Sequence, residues 1–170
     1  MRSQPFFLSL LLLSATSQVS AALDVAPVTN KTYQEECSAC HMAYQPGFLP
    51  ARSWQKIFDT LDKHFGENAE LSAQQTQALK AYAMENAADH SHYKRSRKIM
   101  SSLSASDTPL RISEVSYIQR KHREVPDRLI TRNPQIKTLG RCEACHPDAK
   151  QGDYNEHRVK IPGANGHWEN

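Results

Sequence analysis

Two short stretches, Cys37-Ser38-Ala39-Cys40-His41 and Cys142-Glu143-Ala144-Cys145-His146, contain all four cysteines of the chain. Both have the form C-x-x-C-H, which is the attachment motif of c-type haem. The spacing suits this chemistry because two thiols add to the two vinyl groups of one porphyrin. They must therefore lie about one turn apart, on a chain that we expect to be entering a helix, and the following histidine reaches the iron. We predict two haem c groups, with His41 and His146 as proximal ligands.

Three other uses of paired cysteines are weaker. A four-cysteine zinc site typically places its two C-x-x-C pairs about 15–20 residues apart, whereas a hundred residues separate these pairs, and zinc would leave the paired histidines unexplained. A redox-active C-x-x-C belongs to a strand-helix-strand unit, and the sequence shows no convincing strand pattern. A disulfide within C-x-x-C closes a very short loop and stabilises little.

The N-terminus has the pattern of a secretory signal peptide. Arg2 provides a positive charge, an apolar run follows over residues 6–13, and small residues lead up to Ala21 and Ala22. The run is shorter than the roughly 20 residues that a membrane span needs. We therefore expect residues 1–21 to be removed after Ala21, and the mature protein to work in the periplasm without spanning the membrane.

Composition bounds the remaining possibilities. The 170 residues allow one domain or two small ones, and the formal net charge of +3 is too small to indicate nucleic-acid binding. Only 39% of the residues are hydrophobic, so a folded chain of this kind needs a cofactor or a crosslink to complete its core. No nucleophile-base pair or glycine-rich phosphate loop indicates an enzyme.

Apolar periodicity predicts a mainly α-helical fold. Trp54, Ile57, Phe58, Leu61 and Phe65 recur at spacings of three and four, which predicts a helix from Ser53 that places His64 on the apolar stripe and stops at Gly66. The stretch Ser72-Ala73-Gln74-Gln75 predicts a capping box for a second helix, which carries Leu79, Tyr82 and Ala83 on one face. With an attachment helix before them, these elements resemble a class I cytochrome c domain.

The later chain is less regular. Periodicity fails between Ala87 and Pro109, which predicts a linker. Its four basic residues, Lys94, Arg95, Arg97 and Lys98, are either a solvated stretch or a docking patch for an acidic redox partner. A helix is then expected from Ser113 to about Arg123. We predict an N-terminal haem domain over 22–89, a linker over 90–110, and a C-terminal haem domain over 111–170 that is irregular with few helices.

The sixth ligand decides whether each haem transfers electrons or stays open to gases and peroxide. His64 is the predicted distal ligand of the first haem, because it lies on the inner edge of an apolar helix. His122 is predicted for the second, because it shares a helical face with Val115 and Ile118. The alternatives that remain open are His157 for the second haem, Met100 for the first, and His90 or His92 for either. Met42 adjoins the proximal His41, and Met84 is expected to pack in the core.

Short sequence motifs around both attachment sites resemble those of the periplasmic dihaem cytochrome c family, and they occur in order over nearly the whole mature chain. They are Glu36-Cys-x-Ala-Cys-His41, Tyr44-x-Pro46, Leu49-Pro50-x-Arg52-Ser53-Trp54, His64-Phe65-Gly66-Glu67, Asn86-Ala87-Ala88-Asp89, Arg111-Ile112-Ser113, Lys121-His122-Arg123, Cys142-x-Ala-Cys-His146, Ala149, Gly152 and Ile161-Pro162. The resemblance implies two low-spin haems with two histidine ligands each, and it supports His64 and His122 by position.

The same resemblance implies an electron-transfer protein rather than an enzyme. Members of the family are associated with a small monohaem c-type cytochrome that binds oxygen and with a membrane b-type cytochrome. The main rival function is a haem enzyme or gas-binding cytochrome with one open iron, such as a small peroxidase or an oxygen carrier. That function would require His64 or His122 to lie away from the haem.

Overall fold

The computed structural model describes residues 23–164, so the predicted leader and His167 lie outside the described residues. Within this range the chain forms five α-helices and several short 3₁₀ turns, and no strand. The prediction of a mainly α fold is confirmed. The helices are α1 (Lys31–Cys37), α2 (Ala51–Phe58), α3 (Ala73–Glu85), α4 (Lys94–Met100) and α5 (Ser116–His122).

Helix α2 is shorter than the apolar stripe predicts. Its inner face buries Trp54, Ile57 and Phe58, but the helix ends at Phe58. The Thr60 hydroxyl donates to the carbonyl of Lys56, a side-chain bond that competes with helix continuation. A 3₁₀ turn at Leu61–Lys63 follows, so His64 lies just after a turn rather than on an α-helix.

Helix α3 begins as the sequence predicts. The Ser72 hydroxyl accepts from the backbone N–H of Gln75, and the Gln75 side chain accepts from the backbone N–H of Ser72. Leu79 and Ala83 are buried, whereas Tyr82 is only partly buried. Helix α3 packs on α2. Tyr33 of α1 contacts Trp54 of α2 and Tyr82 of α3, so this pair supports the helix that ends at Cys37.

Part of the expected linker is helical. Helix α4 lies within residues 90–110, and it buries Ser96 and Ile99 completely. The helix is only seven residues long and has only two fully buried positions, too few for a periodicity to be visible in the sequence. Of the four basic residues, Lys94, Arg97 and Lys98 are exposed, whereas Arg95 points inward to an ion pair with Asp24.

One large hydrophobic core contains residues from all three of the segments that the sequence analysis predicted: the N-terminal domain, the linker and the C-terminal domain. Val25 precedes α1, Leu79 lies on α3, Ile99 on α4, and Val115 and Tyr154 come from the later part of the chain, yet all are buried in the same cluster. A smaller cluster of Leu129, Ile130, Ile136 and Ile161 lies beneath the second motif. Among residues 23–164, none of the helices combines the length and the apolar character needed to cross a bilayer.

Candidate haem-binding sites

The first C-x-x-C-H motif lies at the end of a helix. Asn30 caps α1 by accepting from the N–H of Tyr33, and Cys37 is the last residue of the helix. Cys40 is exposed on the turn that follows. The expectation that the motif enters a helix is therefore wrong for this site. The reason is that the helix forms before the motif: Tyr33, which is 2% exposed, anchors it in the core. The two thiols therefore lie at and just after its C-terminus.

His41 and His64 come together at this site. Their rings are nearly parallel, with centroids 6.2 Å apart and planes 26° from each other. His41 Nδ1 lies 2.8 Å from the carbonyl oxygen of Met42, to which it donates when protonated. This leaves His41 Nε2 free to act as a ligand.

The second motif forms a tight turn. Cys142–Ala144 is a 3₁₀ turn, and the backbone N–H of His146 donates to the carbonyl of Cys142 over 2.8 Å. This motif does not enter an α-helix either. Cys145 and Ala144 are partly buried against the smaller apolar cluster, so the turn is held by its own small core.

His122 and His146 come together at the second site. Their ring centroids are 6.1 Å apart, and their planes are nearly perpendicular at 82°. His122 is the last residue of α5, and its Nδ1 lies 2.8 Å from the carbonyl oxygen of Ile118, one turn back. His146 Nδ1 is buried without a hydrogen-bond partner in the described part of the chain.

Both pairs have the separation that a shared metal ion requires. A metal–imidazole bond is about 2 Å, and two such bonds plus the ring radii account for the centroid separations of 6.2 and 6.1 Å. Each site also holds two unpaired cysteines at the spacing of a haem attachment motif. The residues present therefore fit one covalently attached haem at each site.

The cysteines do not fit the alternative uses. Burial and the charge of Glu36 raise the pKa of Cys37 to about 11, and burial with Glu143 raises the pKa of Cys142 to about 12. A dithiol oxidoreductase needs a lowered thiol pKa. Within residues 23–164, moreover, no three or more histidine, cysteine or acidic side chains lie together in an arrangement that could hold a metal ion.

The surroundings of two of the paired histidines, His64 and His146, lower the pKa of their imidazoles and so favour the neutral form. Burial, His41 and Arg111 lower the pKa of His64. Burial, His122 and Arg95 lower the pKa of His146 to about 4, while Asp24 and Asp153 oppose that shift. A neutral imidazole is the form that ligates a metal.

Tyrosines connect the two sites, and the sequence analysis did not find this connection. The Tyr44 ring stacks on His41 with centroids 4.8 Å apart, and its hydroxyl donates to the carbonyl of Gly140 over 2.7 Å, two residues before Cys142. The Tyr154 ring lies against His146 at 5.3 Å, and its hydroxyl donates to Gln45 Oε1 over 2.8 Å. Tyr44 follows His41 by three residues and Tyr154 follows His146 by eight, but neither segment is an α-helix, so no periodic pattern predicts these ring contacts.

The other residues considered as ligands lie elsewhere. His90, His92 and His157 are exposed, and His90 Nδ1 lies 2.9 Å from the carbonyl of Met84. Met42 is buried, and Met84 and Met100 pack partly buried against the large core. Trp54 and Tyr82 pack against Tyr33.

The fold and the sites define a small α-helical protein built around covalently attached haem, and comparisons with known proteins agree. The model of the family "Dihaem cytochrome c" matches residues 33–154. The X-ray structure of a dihaem c-type cytochrome from Shewanella baltica OS155 is 34% identical, with a TM-score of 0.67 over 82% of this chain and 98% of that one. A dihaem cytochrome c from Rhodobacter sphaeroides is 40% identical, with a TM-score of 0.69 over 76% of this chain and 100% of that one. No curated protein sequence is a significant match.

This chain belongs to the dihaem cytochrome c family. The predicted family and the predicted cofactors, two haem c groups with iron, are confirmed. Membership also supports a haem-based electron-transfer role.

Proposed function

We propose that the protein is a periplasmic electron shuttle in which each haem iron has two histidine ligands, His41 with His64 and His146 with His122. The observation that carries the proposal is the close approach of the two rings in each pair, whose centroids are 6.2 and 6.1 Å apart. Cys37 and Cys40 attach the first haem, and Cys142 and Cys145 attach the second. When bound, each haem supplies a one-electron ferric–ferrous couple.

The chain contributes rigid positioning of these ligands. The Nδ1 atoms of His41 and His122 are held by backbone carbonyls, which fixes the orientation of each ring. Two imidazoles without a thioether favour a lower reduction potential than histidine with methionine. The contacts of Tyr44 and Tyr154 link the two sites, so haems held there would keep a constant separation.

Redox proteins are the proposed partners. The resemblance points to a small monohaem c-type cytochrome and a membrane b-type cytochrome. The exposed Lys94, Arg97 and Lys98 of α4 offer a positive patch for an acidic partner, and such encounter slows as salt screens the charges. The proposed periplasmic location rests on the leader pattern of residues 1–21.

The test is carbon monoxide titration of the dithionite-reduced holoprotein, followed by absorption spectroscopy. The expected result is a low-spin spectrum that carbon monoxide changes only slowly, because both sixth positions hold a histidine. The matched variants are His64→Ala and His122→Ala, and each should create rapid carbon monoxide uptake equal to one haem.

A wild-type protein that takes up one equivalent of carbon monoxide at once would contradict two-histidine ligation and favour the gas-binding or peroxidase function. The alanine variant that leaves this rapid uptake unchanged at one equivalent would identify the site that was already open.

A further inference from the structure

The turn that carries His64 has an unusual backbone. His64-Phe65-Gly66-Glu67 is a tight turn in which the N–H of Glu67 donates to the carbonyl of His64 over 3.1 Å. Phe65 and Gly66, its two central residues, have φ values of 55° and 102°. Turns with two positive φ values favour glycine, asparagine and aspartate. A phenylalanine in this conformation is uncommon and costs free energy.

Burial does not explain why a phenylalanine is there. Phe65 is 44% exposed, and it is the one large hydrophobic side chain that is exposed among residues 23–164. Its ring makes two specific contacts instead. It meets the His64 ring edge-on at 4.8 Å, and the guanidinium of Arg111 lies over its face, 4.0 Å from the ring centroid.

Arg111 comes from a distant part of the sequence. It lies just before the 3₁₀ turn Ile112–Glu114, and its Nε is 3.6 Å from a carboxylate oxygen of Glu114. The later half of the chain therefore reaches across to the distal side of the first site. The positive guanidinium is attracted to the face of the Phe65 ring, and the edge-on pair of Phe65 and His64 adds a favourable aromatic contact.

The two distal histidines are supported in different ways. His122 is part of α5, and its Nδ1 is held by the carbonyl of Ile118 within the same helix. His64 lies outside any α-helix, and its ring is flanked by His41 on one side and Phe65 on another. The ring of Phe65 supplies at the first site the support that a helix supplies at the second.

We propose that Phe65 and Arg111 are positioning residues that keep the His64 imidazole opposite His41. The inference rests on the proposed ligation of the first haem by His64. Its consequence is kinetic, because weaker support for His64 increases the rate at which the imidazole leaves the metal.

The experiment is stopped-flow carbon monoxide uptake by the reduced holoprotein. At saturating carbon monoxide the rate equals the rate of imidazole release. Phe65→Asn introduces a residue that tolerates the left-handed conformation but lacks the aromatic ring. We expect imidazole release at the first haem to be about tenfold faster in this variant. Arg111→Gln keeps the ring and removes the cation, with an expected increase of about twofold to fivefold.

Arg123→Gln is the matched control. Arg123 adjoins the other distal histidine, is exposed, and bonds to the neighbouring Glu124, so the variant should behave as the wild type does. The reduction potential of the first haem, measured by spectroelectrochemistry, gives a second readout in Phe65→Asn and Arg111→Gln.

Unchanged uptake in Phe65→Asn would overturn the proposal, and an unchanged rate in Arg111→Gln alone would remove Arg111 from it. An equal acceleration in Arg123→Gln would show a general loss of stability and would also overturn it. Rapid uptake by the wild-type protein, linear in carbon monoxide concentration, would instead contradict the ligation by His64 on which the inference rests.

Discussion

At the scale of single residues, glycine determines how closely one segment can approach another. Gly152 has a φ of 81°, and a Cβ there would overlap the carbonyl oxygen of Val25. The carbonyl of Gly152 in turn accepts from the N–H groups of Asp24 and Val25, at 3.0 and 3.2 Å. The segment before α1 therefore docks where the loop after the second motif has no side chain.

Gly152→Ala should lower the free energy of unfolding of the holoprotein by about 3 kcal/mol, because it adds a steric overlap to the cost of a left-handed alanine. Gly66→Ala is the matched control, since Gly66 has a φ of 102° but open space around its Cβ position. That variant should cost about 1–2 kcal/mol. Chemical denaturation gives both values, and equal losses would show that the contact with Val25 has no energetic role.

At the scale of elements, a helix cap involves residues close together in sequence and can therefore be predicted from the sequence. Ser72→Ala removes the hydroxyl that accepts from the N–H of Gln75 at the start of α3. We expect a loss of about 1 kcal/mol in unfolding free energy, measured by thermal or chemical denaturation. Ser72→Asn preserves the cap and should stay close to the wild type, whereas an unchanged Ser72→Ala would indicate that the capping bond is absent in solution.

Helices that are stabilised by interactions within their own sequence could be predicted. Helices that depend on tertiary contacts could not. One helix contains both the capping box from Ser72 to Gln75 and the inward orientation of Leu79 and Ala83. Helix α4, by contrast, is stabilised by tertiary contacts of Ile99 and Arg95 that no local pattern reveals.

The same distinction holds for the sites. The C-x-x-C-H motifs are local, whereas His64 was predicted on a helix and occupies a strained turn. Its place opposite His41 depends on contacts between segments far apart in sequence. Tyr44 and Tyr154 were missed for the same reason.

At the scale of the whole molecule, one ion pair and its hydrogen bonds join four segments that are distant in sequence. Arg95 on α4 has its Nε 3.1 Å from Asp24, donates to the carbonyl of Tyr154 over 2.6 Å, and reaches the hydroxyl of Tyr117. Asp24 also accepts from the N–H of Tyr154 over 2.9 Å. The side chains of Arg95 and Asp24 are only 15% and 18% exposed, so the pair is shielded from solvent.

Arg95→Met should cost about 3 kcal/mol in unfolding free energy, because it leaves the Asp24 carboxylate nearly buried and unpaired. Arg158→Met is the control, since Arg158 pairs with Asp148 and Asp153 but is 55% exposed; its expected loss is about 1 kcal/mol or less. Denaturation of both holoproteins tests the prediction. Similar losses would mean that the inner pair is as well solvated as the outer one.

With the two-histidine ligation proposed above, the angles between the imidazole planes, 26° at the first site and 82° at the second, would have a magnetic consequence. Near-parallel rings act on the same iron d orbital and split it from its partner, whereas perpendicular rings act on different orbitals and leave them nearly degenerate. The oxidised protein should therefore give two low-spin signals of unequal anisotropy in frozen-solution electron paramagnetic resonance, the broader one from the second haem. That difference would let each haem be followed separately while electrons pass between them.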